Sequence, residues 1–335
     1  MSAGEHEPPR TGVLLANLGT PRSPSTGDVR RFLREFLSDR KVVELSPWLW
    51  RPLLEGVILP FRARKSAELY RRVWTGAEAP LLAHSRRQRE LLAERLGARF
   101  VVRLGMRYGA PSIAQAVGEL CDEGCQRIVL FPLFPQYSST TTGTACAEAY
   151  RRVAERRAQP AIATVAPFPT DEGYIDALAT RVGEARGRID HHVASFHGLP
   201  RAYVERGDPY LAQCAATSEA LRRRLGVEPD RWTMVFQSRF GRQPWLAPYA
   251  DEAVPALARR SPRVLVVMPG FVADCLETLE EIGLRLAAAF RAAGGEELLV
   301  VPALNDHPRW IEAMGALVLR TCGGAPSAAG TAPHG

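Results

Sequence analysis

The chain has almost no lysine. Lys41 and Lys65 are the only two among 43 basic residues, and the rest are arginine. The arginines alternate with acids, as in Arg30-Arg31-Phe32-Leu33-Arg34-Glu35 and Arg86-Arg87-Gln88-Arg89-Glu90, the pattern of solvated helix faces. There is no basic domain, zinc finger or RNA-binding signature, so the net charge of +7 does not point to nucleic acid. It suits at most a mild attraction to an anionic membrane or a carboxylated ligand. No apolar run is long enough, and free enough of charge, to span a bilayer. The six cysteines, Cys121, Cys125, Cys146, Cys214, Cys275 and Cys322, form no group of three or four, so no iron–sulfur cluster is expected. Met1 to Arg10 is polar and lacks an apolar core, so no secretory signal is expected, and free thiols in a cytoplasmic protein are. Gly-x-x-x-x-Gly-Lys is absent, and Asn17-Leu18-Gly19-Thr20-Pro21 has the wrong glycines for a dinucleotide site.

What is present is the composition of an ordinary globular protein, 46% hydrophobic and 24% charged, in a chain of 335 residues that is long for one core. Strand-like runs occur at 12–17, 100–104, 127–131, 162–166, 192–196, 233–237, 263–267 and 297–301. Most are continuously apolar, as in parallel strands buried on both faces. Helical patterns lie between them at 26–37, 81–96, 113–121, 141–156, 171–186, 209–225, 251–257 and 274–292. The alternation predicts right-handed βαβ units. A break near Phe168-Pro169-Thr170 divides the strands four and four. Arg127 to Pro135 is echoed by Arg263 to Phe271, each the third strand of its half. The expected fold is α/β: two similar Rossmann-like domains, 11–168 and 169–322, each a four-stranded parallel sheet flanked by helices. A flexible N-terminus (1–10) and a disordered Gly/Ala/Pro-rich tail (323–335) complete the chain.

The first half carries an insertion at about 40–80. Its 45–61 stretch, with Trp48 and Trp50, is too apolar for a surface loop and is broken by Pro47, Pro52, Arg51 and Glu55. It reads either as a helix packed on the body or as an amphipathic lip that holds a large apolar ligand or touches a bilayer peripherally.

The chemistry concentrates at strand ends, where α/β sheets bind ligands. His197 follows one buried strand and precedes Gly198-Leu199-Pro200; an isolated His in such a turn is either a hydrogen-bonded structural residue or a base and metal ligand. After the 263–267 strand come Asp274, Glu277 and Glu281, at helical spacing i, i+3, i+7. They are expected on one face of a helix, with Leu276 and Leu279 inward and Thr278 and Glu280 off the stripe. Acids also suit a helix N-terminus for electrostatic reasons alone. A His facing carboxylates across a cleft can hold a divalent metal and move protons. Gln136-Tyr137-Ser138-Ser139-Thr140-Thr141-Thr142-Gly143 is a hydroxyl-rich turn that either caps a helix or binds an anion. Arg107-Tyr108 and the loop Gln237 to Trp245 offer cations and aromatic rings for a flat, acidic ligand.

Ser195-Phe196-His197-Gly198-Leu199-Pro200, continuing to Arg206-Gly207-Asp208-Pro209-Tyr210, resembles the signature of the ferrochelatases. These enzymes insert ferrous iron into a porphyrin at the end of haem synthesis. The resemblance runs from about Gly12 to Arg320. It includes Asn17 to Pro21, Phe134 to Ser138, Phe236 to Gly241, Pro244-Trp245-Leu246 and Pro269 to Glu281. It implies a chelatase-like fold, with His197 and Glu277 as the catalytic and metal-site pair and Asp274 and Glu281 extending a proton or metal path. Arg107, Tyr108, Trp245, Leu18, Tyr137 and Arg72 would bind the porphyrin. The substrates would be Fe2+ and protoporphyrin IX, with no tightly bound cofactor and no iron–sulfur cluster; the protein would be a monomer or homodimer. Cys275 stands where animal members have His, Ser138-Ser139 replaces a cluster Cys, and Leu18 replaces the Tyr of coproporphyrin-type enzymes, which favours protoporphyrin IX. The alternatives are a coproporphyrin III ferrochelatase, a chelatase for cobalt and a corrin precursor, and a non-catalytic haem or metal carrier. A sugar-phosphate enzyme is disfavoured by the missing phosphate loops.

Overall fold

The computed structural model describes residues 10–185, 187–241 and 243–323. The expected N-terminal segment and tail therefore lie outside the described residues, apart from Arg10 and Gly323. The first sheet has the order β2-β1-β3-β4, built from β1 (Thr11–Gly19), β2 (Phe100–Tyr108), β3 (Arg127–Pro132) and β4 (Ala161–Thr164). The second repeats it as β6-β5-β7-β8, from β5 (His191–His197), β6 (Trp232–Gln237), β7 (Arg263–Val267) and β8 (Glu297–Val300). Every pairing is parallel. The continuous apolar runs are explained by burial on both faces: Val13, Leu14, Leu15 and Ala16 are all inaccessible, as are Val193, Ala194 and Phe196.

The helices are α1 (Thr26–Leu37), α2 (Pro47–Leu53), α3 (Leu59–Val73), α4 (Pro80–Leu96), α5 (Ile113–Asp122), α6 (Thr144–Ala154), α7 (Glu172–Gly183), α8 (Arg201–Glu205), α9 (Tyr210–Leu225), α10 (Ala250–Leu257), α11 (Ala287–Ala292) and α12 (Pro308–Thr321). Local sequence sets several starts: Ser25, Ser112 and Asp171 each accept a backbone N–H of the first turn.

Three segments depart from the expected helices because the backbone widens into π-helix: Leu54–Ile58, Ser139–Gly143 and Glu277–Leu286. Such wide turns close i→i+5 hydrogen bonds and gather at functional sites. The first follows Pro52, which has no N–H to give the ladder, and contains Gly56. The lip is thus α2, a wide turn and α3 in series. Leu54, Leu59, Ala63 and Ala67 face inward, whereas Trp48 (89%), Leu49 (78%) and Phe61 (77%) stand in solvent. The stretch is thus a helix packed on the body that also presents an exposed apolar face.

The helix layers do not respect the expected division at 168/169. α12 returns to the first half, where Arg127 donates to the Cys322 and Thr321 carbonyls. Trp310 is wedged among Phe131, Phe168 and Tyr174, with ring centroids 6.5, 5.8 and 6.1 Å away. One buried cluster takes in Val13, Leu15 and Phe131 from the first sheet and Phe196, Phe236 and Val267 from the second. Trp310→Ala is expected to destabilise the whole fold by about 3–5 kcal/mol, read as one shifted urea transition; a separate early transition of the second half would contradict the shared core.

Candidate functional site

In each sheet the strand order reverses between the first and third strands, and the crevice beyond that point is where such folds bind ligands. In the second sheet β5 delivers His197 to one side of the crevice. The segment after β7 delivers Glu277 to the other. In the first sheet β1 ends at Leu18-Gly19 beside Tyr108, its register partner being Gly19. Gly19 has φ +111°, and a Cβ there would lie 1.8 Å from the Tyr108 carbonyl oxygen, so only glycine allows the two strand ends to meet.

His197 is the last residue of β5 and is half-buried. Its Nδ1 is 2.6 Å from the Gly198 carbonyl oxygen. A carbonyl only accepts, so Nδ1 carries the hydrogen and the neutral ring keeps its lone pair on Nε2. The turn is held closely. Gly198 N–H donates to the Gln237 carbonyl at 2.7 Å, Tyr210 Oη donates to the His197 carbonyl at 3.0 Å, and the turn pairs with Pro244 and Leu246. A Cβ on Gly198 would lie 2.7 Å from the Gln237 carbonyl oxygen and 3.1 Å from the Trp245 ring. Trp245 itself is buried, and its Nε1 donates to the Phe240 carbonyl at 2.9 Å. The expected ligand-facing ring is instead the buttress behind the His197 turn.

Gln237 links the two sides of the crevice, and sequence reasoning did not single it out. It pairs in register with His197. Its buried side chain accepts from Ser195 Oγ at 2.7 Å and donates through Nε2 to the Glu277 carbonyl at 3.1 Å. Ser238 follows with φ +67°, an unusual conformation for a residue with a side chain. From there its N–H and Oγ bind the two oxygens of Glu281, at 2.8 and 2.5 Å. The polar pair at the end of an apolar strand was the available signal; Arg239, the more conspicuous residue, turns outward to Asp251 and Glu252.

The acidic stripe needs correction. The helix begins at Glu277, so Asp274 lies before it. Asp274 is buried; its oxygens accept from Thr278 Oγ1 (2.7 Å), Asn305 Nδ2 (2.7 Å) and the Ala303 amide (3.3 Å). It holds the 301–305 segment rather than facing the crevice with Glu277. Glu281 meets the Gln237-Ser238 corner with its carboxylate, both oxygens of which are taken, whereas Glu277 meets it only with its backbone carbonyl. Thr278 and Glu280, expected off the stripe, are fully buried. An α-helical spacing rule misplaces side chains along a π-helix.

The other expected contacts are also partly engaged. Arg107 and Tyr108 lie within β2 rather than after it. Tyr108 is inaccessible and its Oη donates to Asp39 Oδ2 at 2.9 Å. Arg107 Nη2 meets the same oxygen at 2.6 Å, as does Thr144 Oγ1 at 2.5 Å. Asp39 therefore fills the place assigned to an acidic ligand. Burial works to raise its pKa, but Thr144, the Lys41 amide, Tyr108 and Arg107 together hold it below the ordinary value. The hydroxyl-rich turn is filled in the same way: Asp208 Oδ2 accepts from Ser138 Oγ at 3.0 Å and the Ser139 amide at 2.8 Å. Tyr137 is half-buried beside that turn, its amide donating to Gln213 at 2.7 Å. Arg72, expected to meet propionates, bonds Glu280 at 3.2 Å. Leu18 packs under the lip in a cluster that also includes Leu59, Ala63, Tyr70 and Leu276.

Cys275, Tyr70 and Arg62 lie close enough to Glu277 to sense its charge. Burial, and then the Glu277 charge, push the Cys275 thiol and the Tyr70 hydroxyl well up. Arg62, from α3, lies with its guanidinium carbon 4.4 Å from the Phe240 ring centroid. Burial lowers its pKa, opposed by the Glu277 charge. Among the described residues no three His, Cys, Asp or Glu side chains converge as a ready-made metal cage.

A model of the Ferrochelatase family matches residues 10–322. The chain is 47% identical over 322 residues to the ferrochelatase of Rhodopseudomonas palustris strain TIE-1, covering 93% of each. It is 49% identical over 311 residues to that of Azoarcus sp. strain BH72, covering 91% of this chain and 86% of the relative. It is 47% identical over 327 residues to that of Bordetella pertussis strain Tohama I, covering 96% and 90%. Among solved structures, the sirohydrochlorin chelatase SirB of Bacillus subtilis subspecies spizizenii in complex with cobalt is similar, with a TM-score of 0.57 at 13% identity over 93% of this chain and 95% of that one. SirB from Bacillus subtilis with Fe3+ gives 0.52 at 12% identity, covering 94% and 98%. At these identities the likeness is one of fold.

Asp39 gives a pH prediction. A carboxyl held low in the folded state stabilises it above the ordinary value of 3.8 and ceases to do so as pH falls through its folded value. Asp39→Asn should therefore lower the melting temperature most at neutral pH, with the gap to wild type shrinking below pH 3.8. A gap that stays constant across thermal melts at pH 7 and pH 3 would contradict the role given to the Asp39 charge.

Proposed function

The chain belongs to the ferrochelatase family, and from that premise we propose that it inserts Fe2+ into protoporphyrin IX, forming protohaem and releasing two protons. The observation that carries this reading is the Gln237 bridge. It seats a bare imidazole Nε2 and the start of the Glu277 helix at one switch point. Metallation must strip two N–H protons from the ring while a hydrated cation sheds water. Nε2 of His197 takes a pyrrole proton, and the Gly198 carbonyl on Nδ1–H stabilises the imidazolium that forms. Glu277 receives the incoming cation and, as the iron passes to the ring nitrogens, its carboxylate takes the second pyrrole proton. Asp274 and Glu281, with their oxygens bonded inside the protein, support this carboxylate and do not replace it. Iron enters as substrate, and the reaction requires no resident cofactor.

The choice of ring rests on charge as well as on Leu18. Protoporphyrin IX has two propionates and coproporphyrin III has four. Arg107 is taken by Asp39 and Arg72 by Glu280, so two of the expected cations are already engaged and less available to a more acidic ring. The packing of Leu18 under the lip suits an apolar ring edge. In an anaerobic assay of porphyrin fluorescence loss, wild type should turn over protoporphyrin IX with a higher kcat/KM than coproporphyrin III. His197→Ala and Glu277→Gln should each lose on the order of 10²–10⁴ in kcat. Preference for coproporphyrin III would overturn the ring assignment, and stoichiometric binding without turnover would favour a carrier.

No helix among the described residues is long and apolar enough to cross a membrane. The exposed Trp48, Leu49 and Phe61, beside the basic Arg51 and Arg64, instead suit an interfacial contact of the lip with anionic lipid. Trp48→Glu combined with Leu49→Glu should abolish sedimentation with phosphatidylglycerol-containing vesicles while detergent-phase turnover persists. Undiminished sedimentation would rule the lip out as the contact.

A further inference from the structure

Glu280 is a fully buried carboxylate that the reaction above does not use. One oxygen accepts from Arg72 Nη1 at 3.2 Å and the other from Arg285 Nε at 2.9 Å. Arg285 is five residues on, and a π-helix brings residues at that spacing over one another. Arg72 is in the last turn of α3, so the bond crosses from the lip helix to the helix that begins with Glu277. Both arginine side chains remain more than half exposed. The buried carboxylate is thereby saturated while its partners keep much of their hydration, and removing either partner would leave a buried charge short of a bond. One other contact runs along the same seam: Leu276, directly before the wide turn, packs in the α3 cluster.

We propose that Glu280 is a positioning residue for Glu277: through Arg72 and Arg285 it locks the wide turn carrying Glu277 to lip helix α3, so that lip and carboxylate hold one relative placement. In its kinetic readout this rests on the ferrochelatase reading; its structural readout does not. An ångström of drift at a reacting group costs rate more than binding. The lock is then separable from the other role open to Arg72, a propionate contact, which would show in KM.

The test compares wild type, Glu280→Gln, Arg72→Met, the double variant and Arg72→Lys, with steady-state iron insertion and hydrogen–deuterium exchange on each. Both single changes should lower kcat by on the order of ten- to a hundredfold, leaving KM for porphyrin within about twofold. The double variant should be no slower than the slower single one, because both single changes break the same Glu280–Arg72 bond. Arg72→Lys should recover most of the rate. Amides of 277–286 and 59–73 should exchange faster together in both singles, a result that can be read even if wild type metallates no porphyrin. If Glu280→Gln fails to fold, the surface-reaching Arg72→Met carries the same comparison. Unchanged exchange in both segments, or a raised KM in Arg72→Met beside wild-type kinetics in Glu280→Gln, would overturn the proposal.

Discussion

Gln237 makes three bonds on which the site depends. Its backbone carbonyl extends the sheet to Gly198, and its side chain holds Ser195 and the Glu277 carbonyl. A parallel sheet places the ends of β5, β6 and β7 side by side but does not fix what lies beyond them. The loops after these strands leave in different directions, and the imidazole and the carboxylate would otherwise depend on two independent turns. A buried amide, with both its acceptor and its donor used, removes that freedom at the cost of very little space. The strained Ser238 next to it extends the same corner to Glu281.

The acids of the site are distinguished by their partners, since their chemistry is the same. Asp39, Asp208, Asp274, Glu280 and Glu281 are each met by two or more donors of the protein itself. Hydrogen-bonded in this way, a carboxylate organises its neighbours and has little left for a ligand. Glu277 differs from these acids in that its bond to the Gln237 corner is made by its backbone carbonyl, not by its carboxylate. The same logic explains Arg107 and Arg72, whose charges serve internal acids.

The strands were readable because burial on both faces leaves a continuous apolar run, and all eight runs became strands within a few residues. The duplication was readable too, since Arg127 to Pro135 and Arg263 to Phe271 occupy the same place in two sheets of identical order. His197 could be singled out from its position at a strand end. What the sequence could not disclose was long-range choice. Nothing near Asp39 announces that Tyr108 and Arg107, some seventy positions on, will bond it, or that Arg72 will reach Glu280. The helix of Glu277 failed for a different reason: its residues are compatible with ordinary α-helical spacing, and the wider winding is imposed by packing against α3 and the Gln237 corner. α12 crosses the expected domain division because Trp310 packs against Phe131 and Phe168 of the first half as well as Tyr174 of the second.

The most direct measurement of the account is the single-turnover rate of anaerobic iron insertion in Gln237→Met, which keeps the volume of the side chain and deletes both of its polar bonds. Porphyrin should bind with near-normal affinity while the insertion step slows on the order of a hundredfold. Insertion at the wild-type rate in a folded Gln237→Met protein would show that His197 and Glu277 are placed by something other than this bridge.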